Sequence, residues 1–378
     1  AYTIENNVIY DINSSAMTVR IYNDHPQKAM GHWRLEINAA NAVFTDGALP
    51  GLSARYTRYQ IFSEGTVNGR SRRVTIQGLH AISWARYALW YNNEAMQLWM
   101  VGGERFEGPV HANVQFWFHS YNVASRGQTR FCDRTTSAAA SYTRKTDAVQ
   151  PVFDRGISLG VAAQDTTSIN FNELRGDAVL VLQGTTEISL AGTNMVVTNS
   201  RRSWNKRTVP VPDGGLIYVQ TVTTGDNATR PGDLKLSAPT GLNGRLTIVA
   251  DRDIQIVNHI RYASNPINFP MSDDALGLIA KRHIMVQTTA PNNLDVFSHM
   301  IATEGGFGVV NYDSSSVGSR GMLNVYGGIV NQTRQAVGTT SGTGYTKNYV
   351  YDSRFQTEPP PGYPVVPNAY QWTDWSDR

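Results

Sequence analysis

GRLTIVADRDIQIVNHIRYA (244–263) is followed by ALGLIAKRHIMVQ (275–287), LDVFSHMIAT (294–303), GFGVVNY (306–312) and GMLNVYGGIVNQTR (321–334). Each segment alternates apolar with polar residues or is short and wholly apolar. Each closes on Gly, Asn, Asp or Ser, which tolerate tight turns. This ladder predicts an all-β chain whose body is a right-handed parallel β-helix or a related stacked β fold. A coil of such a helix needs only inward apolar residues and turn residues, so no exact repeat is required.

Working outward from the ladder, the β signal persists. Asp177 to Asn199 reads as three short strands divided by Gly184 and Gly192, and Leu216 to Thr224 as another. Gly108 to Ser120 is a strand region. Tyr59–Ser63 and Arg73–Gln77 form the arms of a hairpin that turns at Asn68-Gly69. Val8 to Ile12 and Met17 to Tyr22 alternate at period two. Leu79 to Met100 is ambiguous. Trp84, Tyr87, Trp90 and Tyr91 recur at helical steps, and the same residues suit two aromatic strands turning at Asn92-Asn93.

Two polar stretches read as loops, Ala138 to Pro151 and Thr224 to Pro239. The first is a plausible seam, which divides the chain into an N-terminal β part (1–140), a β-helix-like body (141–358) and a Pro/aromatic tail (359–378). The tail's prolines favour an extended, polyproline-like run. Its aromatic residues predict docking on the body or on a neighbour.

Composition narrows the function classes. The formal net charge over 378 residues is +3, which gives no field for nucleic acid or an anionic membrane. Only Lys28, Lys145, Lys206, Lys235, Lys281 and Lys347 of the 33 basic residues are lysine. An arginine bias suits surfaces that become interfaces. Cys132 is the single cysteine, so neither an intrachain disulfide nor a cysteine metal cluster is available. No apolar run is long enough to span a bilayer as a helix. An initial Ala in place of Met predicts a trimmed leader.

The runs GERFEGPVHANVQFWFHS (103–120) and FCDRTTSA (131–138) resemble PilX-type pilus-assembly proteins and their uncharacterised β-rich surface relatives. SEGTVNGRSRRVTI (63–76), GRLTIVADRDIQIVNHIRYA, DDALGLIAKRHIMV (273–286), GMLNVYGGIVNQTRQAVG (321–338) and GYTKNYVYDSRFQTEPPPGYP (344–364) extend the resemblance in the same order over residues 59–375. It implies a β-helical body and an extracellular, non-enzymatic role. Pilin-type relatives usually begin with a long apolar helix, whereas this chain begins with an alternating β segment.

The candidate contact residues lie at the two ends. Tyr2, Ile4, Val8, Tyr10 and Ile12 form a strand that would add to a neighbouring subunit if donated. Tyr363, Tyr370, Trp372 and Trp375 would dock the tail. Such contacts are head-to-tail and grow an open filament. The expected function is a structural subunit of an extracellular filament or pilus-like appendage at the cell surface. Its partners would be copies of itself and pilus-assembly proteins, with no cofactor, metal, nucleic acid or catalytic set.

Two alternatives stand beside it. One is a carbohydrate-active β-helix enzyme using Asp251, Arg252 and Asp253; the other is a tip-located adhesin using Tyr and Trp. For Asp251, Asp253, Asp273 and Asp274, turn capping competes with Ca²⁺ or sugar chemistry. The eight histidines form no close ligand pair, so hydrogen-bonded structural roles are expected for residues such as His111 and His119. Asn13, Asn227 and Asn331 each begin a glycan acceptor triplet.

Overall fold

The computed structural model describes residues 82–366 with their side chains, apart from 167–168 and 223–231, and the backbone of strands before and after them. The chain divides into two compact units: residues 1–82 with 365–378, and residues 83–364. The predicted boundary at residue 140 therefore falls inside the second unit, and the one at 359 falls short of its end.

The first unit holds β1 (Tyr2–Glu5), β2 (Val8–Asn13), β3 (Thr18–Asn23), β4 (His32–Ala40), the small pair β5 (Phe44–Thr45) and β6 (Ser53–Ala54), β7 (Arg58–Val67) and β8 (Arg70–Ser83). β1 to β4, β7 and β8 pair antiparallel in that order. In the predicted hairpin Gln60 faces Gln77, Ser63 faces Val74 and Val67 faces Arg70. The two residues between, Asn68 and Gly69, lie outside the described residues.

The second unit opens with a 3₁₀ turn, Trp84–Arg86, capped by the Ser83 hydroxyl accepting from Ala85 N at 3.1 Å. β9 (Leu89–Glu94) follows as one strand that contains both Asn92 and Asn93. The region from Leu79 is thus strand, 3₁₀ turn and strand, with the bend earlier than the sequence indicated. Next come β10 (Arg105–Phe106), β11 (Val110–Ala112), β12 (Trp117–Phe118), α1 (Val123–Arg126), β13 (Arg130–Phe131), β14 (Thr135–Ser137), β15 (Thr143–Arg144), β16 (Val152–Phe153) and β17 (Ile157–Leu159). The stretch 138–151 is therefore part of a coil.

A return segment carrying α2 (Phe171–Gly176) leads to β18 (Leu180–Gln183), β19 (Thr186–Ala191), β20 (Asn194–Asn199), β21 (Trp204–Pro210) and β22 (Gly215–Gln220). The three strands predicted between 177 and 199 are β18 to β20. Gly184 and Gly192 turn between them at positive φ, where side chains are disfavoured. The chain continues through β23 (Leu234–Leu242), β24 (Arg245–Ala250), β25 (Ile254–Tyr262), β26 (Ala275–Ala280), β27 (Ile284–Val286), β28 (Leu294–Ala302), β29 (Phe307–Val309), β30 (Ser319–Arg334) and β31 (Gly344–Tyr351). The loop predicted for 224–239 becomes strand from Leu234, and its earlier part overlaps residues outside the description.

The pairing is coil on coil and almost wholly parallel. One ladder runs β18, β22, β24, β26, β28, β30, β9, β11, β14, β17. A second joins β19, β23, β25, β27 and β29, with β12 and β15 paired in the other run. A third passes from β25 through β28 and β30 to β31, with β10, β13 and β16 in the other run. This is a parallel β-helix. Its first ladder aligns one inward column: Leu180, Ile217, Ile248, Leu278, Met300, Ile329, Leu89, Val110, Thr135 and Ile157. Eight of these ten are fully buried. At roughly 1.5–3 kcal/mol for burying each large aliphatic side chain, such columns dominate the stability of the stack.

The chain order of that column is broken. Coils from residue 89 wind one way to β17, the chain crosses back, and coils from residue 180 wind inward until β30 and β31 meet β9 and β10. The last coil of the chain lies on the first. Chain entry and exit meet there too, since Trp84 N donates to Pro364 O at 3.0 Å.

The middle of the first ladder is buried on both faces, which explains its sequence. All six residues of β26, ALGLIA, are buried, as expected for a parallel sheet covered on each side. The cover includes residues 352–364. Tyr363 packs against Gly277, where a Cβ would sit 2.4 Å from its ring. Pro361 O accepts from the Thr247 hydroxyl. The tail then enters β32 (Val365–Asp377), which pairs beside β8 and completes the sheet of the first unit. The predicted polyproline-like run is thus a β-strand over most of its length.

Candidate functional site

Four charged side chains gather where the last coil lies on the first. Arg334, at the end of β30, and Glu94, at the end of β9, are register partners, and Arg334 Nη1 donates to Glu94 Oε1 at 2.9 Å. Arg334 also donates to Leu98 O at 3.1 Å, and its guanidinium lies 5.3 Å from the centre of the Tyr91 ring. Lys347 of β31 donates to Glu104 Oε1 at 2.7 Å, and Val101 N donates to the same oxygen at 3.2 Å. The acids and the arginine are almost fully buried, with side-chain exposures of 7% for Glu94, 5% for Glu104 and 8% for Arg334.

Lys347 faces inward because its register partner, Leu323, lines the core. Burial disfavours its charged form and lowers its pKa, although Glu104 opposes the shift. Burial likewise raises the phenol pKa values of Tyr91 and Tyr349. Among the described residues, two buried polar atoms in this cluster have no hydrogen-bond partner, Tyr91 Oη and Glu104 Oε2. Everywhere else along the stack, a coil and the next are joined by the chain itself. Here the joint is made by ladder hydrogen bonds, apolar contact and two buried ion pairs. Periodicity could not have revealed it, because the partners lie 240 and 243 positions apart.

Outside the seam, polar side chains tie coil to coil. Asp251 accepts from the Tyr218 hydroxyl and from Thr221 N. Asp253 accepts from His283 N at 3.0 Å, and Arg252 pairs with Asp233 at 3.0 Å. Asp274 accepts from Gly244 N at 2.7 Å and Ser264 N at 2.8 Å. Asn348, Asn324 and Asp295 form a side-chain ladder over three coils with 2.9 Å links. Asp251, Arg252, Asp253 and Asp274 are thus engaged as turn and coil staples, whereas Asp273 is exposed. Among the described residues, no three His, Cys, Asp or Glu side chains come together as a metal-ligand set.

The described histidines are mostly structural. His111 is buried between Thr136 Oγ1 and Asn113 Oδ1, each at 2.7 Å, and stacks on Trp90. His119 lies edge-on to Trp99. His299 bonds the Tyr363 hydroxyl at 2.8 Å and Tyr87 O at 3.1 Å, and burial pushes its pKa down to about 3. Asn331 is buried with its Oδ1 accepting from Phe307 N at 2.8 Å, so it cannot serve as a glycan acceptor in the folded chain. Asn227 and the Asn13 side chain lie outside the described residues.

The predicted contact residues separate into three places. Tyr2 and Ile4 lie on β1, and Val8, Tyr10 and Ile12 on β2. These strands pair with each other, Tyr2 opposite Asp11 and Ile4 opposite Ile9, so the first strand is matched within its own chain. Tyr370, Trp372 and Trp375 lie on β32. Tyr363 belongs to the second unit and is buried against His299. In the sheet order, β1 and β32 stand at the two edges.

The described surface carries an apolar loop tip that the sequence pattern did not single out. Ile267, Phe269 and Met271 are 55%, 62% and 95% exposed. The base of their loop is held by Asp274 and by Arg354, which donates to Ser272 O and Asp274 O. The signal was the spacing of apolar residues between prolines in NPINFPMSDD (265–274).

No family model and no curated protein matches the chain. Among solved structures it is similar to the competence-associated pilin ComZ from Thermus thermophilus, at 13% identity and a TM-score of 0.36, covering 99% of this chain and 88% of that one. A likeness at that level carries no argument about fold or role, and it does not bear on PilX-type proteins in particular.

Proposed function

We propose that the chain is a non-catalytic structural subunit of an extracellular, pilus-like filament at the cell surface. The observation that carries this reading is the pair of edge strands, β1 and β32, on one sheet. Each edge offers a row of unpaired backbone donors and acceptors, which templates pairing with another chain. Addition of β1 of one copy to β32 of the next is heterologous and does not close, so it extends a filament. Edge addition leaves the β1–β2 hairpin intact, whereas strand donation would first break it. Cell-surface or pilus-assembly proteins are the further partners of this reading.

In sequence the stacked unit, residues 83–364, lies between β8 and β32, and its core runs unbroken across the seam. A second reading, a tip-located adhesin, draws on the exposed Ile267, Phe269 and Met271. Electron microscopy of the purified chain separates the two. Regular fibres of one subunit type are expected, and Ile4→Pro, which removes a donor from the edge strand, should abolish them while leaving the circular dichroism of the fold. Isolated particles at high concentration, or fibres unaffected by that change, would overturn the filament reading.

A further inference from the structure

The geometry points to a covalent cross-link at the seam: an amide between the Lys347 side-chain nitrogen and the Glu104 side-chain carboxyl. Three independent observations converge on this pair. Nζ and Oε1 are already 2.7 Å apart, and the two side chains are 21% and 5% exposed. The other carboxyl oxygen, Oε2, is buried without a hydrogen-bond partner. A buried carboxylate oxygen with no donor is strongly disfavoured, and each such atom calls for an explanation. Condensation supplies one, because Oε2 is the oxygen that leaves. The pair also spans the one coil joint that the chain does not cross, so the bond would make the stack covalently continuous.

The surroundings suit the step. A proton passes from the Lys347 ammonium to Glu104 Oε2, giving a neutral amine and a neutral acid. Burial disfavours the Lys347 ammonium, and its lowered pKa agrees with that transfer. The nitrogen lone pair attacks Cδ and the C–N bond forms. The developing negative charge falls on Oε1, which already accepts from Val101 N at 3.2 Å. The Arg334 guanidinium belongs to the same charge cluster, and its positive field favours that charge. The C–Oε2 bond then breaks, and the hydroxyl leaves with a second proton from nitrogen as water. An ammonium and a carboxylate become an amide and one water, with no oxidant, reductant or co-reactant. The partial exposure of Lys347 gives the water a way out.

The test is intact mass spectrometry of the denatured full chain, followed by peptide mapping. The expected result is a mass below the sequence mass by one water, and a branched peptide joining Glu104 to Lys347. Lys347→Arg keeps the charge and the ion pair but lacks the amine, and Glu104→Ala lacks the carboxyl. Both should return to full mass, with circular dichroism confirming that the arginine variant is folded. Folded wild-type chain at full sequence mass would overturn the cross-link. So would a water loss that persists in Lys347→Arg.

Discussion

Arg334 Nη1 lies 2.9 Å from Glu94 Oε1 across 240 positions of sequence, on neighbouring strands of one ladder. This contact shows how the stack is closed. Removing one member leaves the other charge buried, which costs about 3–5 kcal/mol. Glu94→Gln and Arg334→Met should each lower the denaturant midpoint accordingly. The double variant Glu94→Leu/Arg334→Met should recover much of the loss, because it leaves no charge uncompensated.

Acid sensitivity follows from His299. Its folded pKa of about 3 lies below the unfolded value near 6.5. The unfolded chain therefore binds the extra proton first. The stabilising contribution is complete above about pH 6.5 and is lost as pH falls from there towards 3, a change on the order of a few kcal/mol. Tyr363, Tyr87 and Phe355 face the ring, and none supplies a counter-charge. Urea midpoints at pH 7 and pH 4 should differ markedly for the native chain and less for His299→Gln.

Gly328 has no room for a methyl group. A Cβ there would lie 2.2 Å from Tyr87 O and 2.7 Å from the His299 ring. Gly328→Ala should destabilise by about 1–3 kcal/mol through overpacking, read as a lower thermal midpoint. Gly342→Ala adds no clash but sits at φ 95°, where backbone strain alone sets the loss.

The strands themselves were legible in the sequence. The predicted ladder from Gly244 contains β24 to β30, because inward Leu and Ile alternate there and turn residues end each run. The positions of Gly184 and Gly192 marked β18 to β20. What was hidden is order in space. Ile329 and Leu89 are neighbours in one apolar column, yet nothing local to either residue says so. Lys347 reads as a surface lysine in GYTKNYVY, and only the register with Leu323 turns it inward. The point where the two compact units part was hidden for the same reason. Polar composition at 138–151 marks a loose coil, whereas the true entry at Ser83 sits inside an aromatic run.

Phe269 and Met271 of the apolar loop tip are 62% and 95% exposed. Phe269→Ser with Met271→Ser should leave stability within about 0.5 kcal/mol. If the tip is an adhesive contact, the same double variant should lose retention on a hydrophobic surface in a binding assay while fibre formation is unchanged.

Closure of the permuted stack is tested most directly by a cysteine pair across the seam. Asn93 and Thr333 are register partners. Neighbouring strands stand about 4.8 Å apart, within the separation a disulfide accepts. In a Cys132→Ser background, Asn93→Cys with Thr333→Cys should oxidise to a disulfide that peptide mapping places between these two positions. Glu187→Cys with Lys235→Cys, register partners on successive coils, serves as the control. A control pair that links while the seam pair stays reduced would contradict the stacking of the last coil on the first.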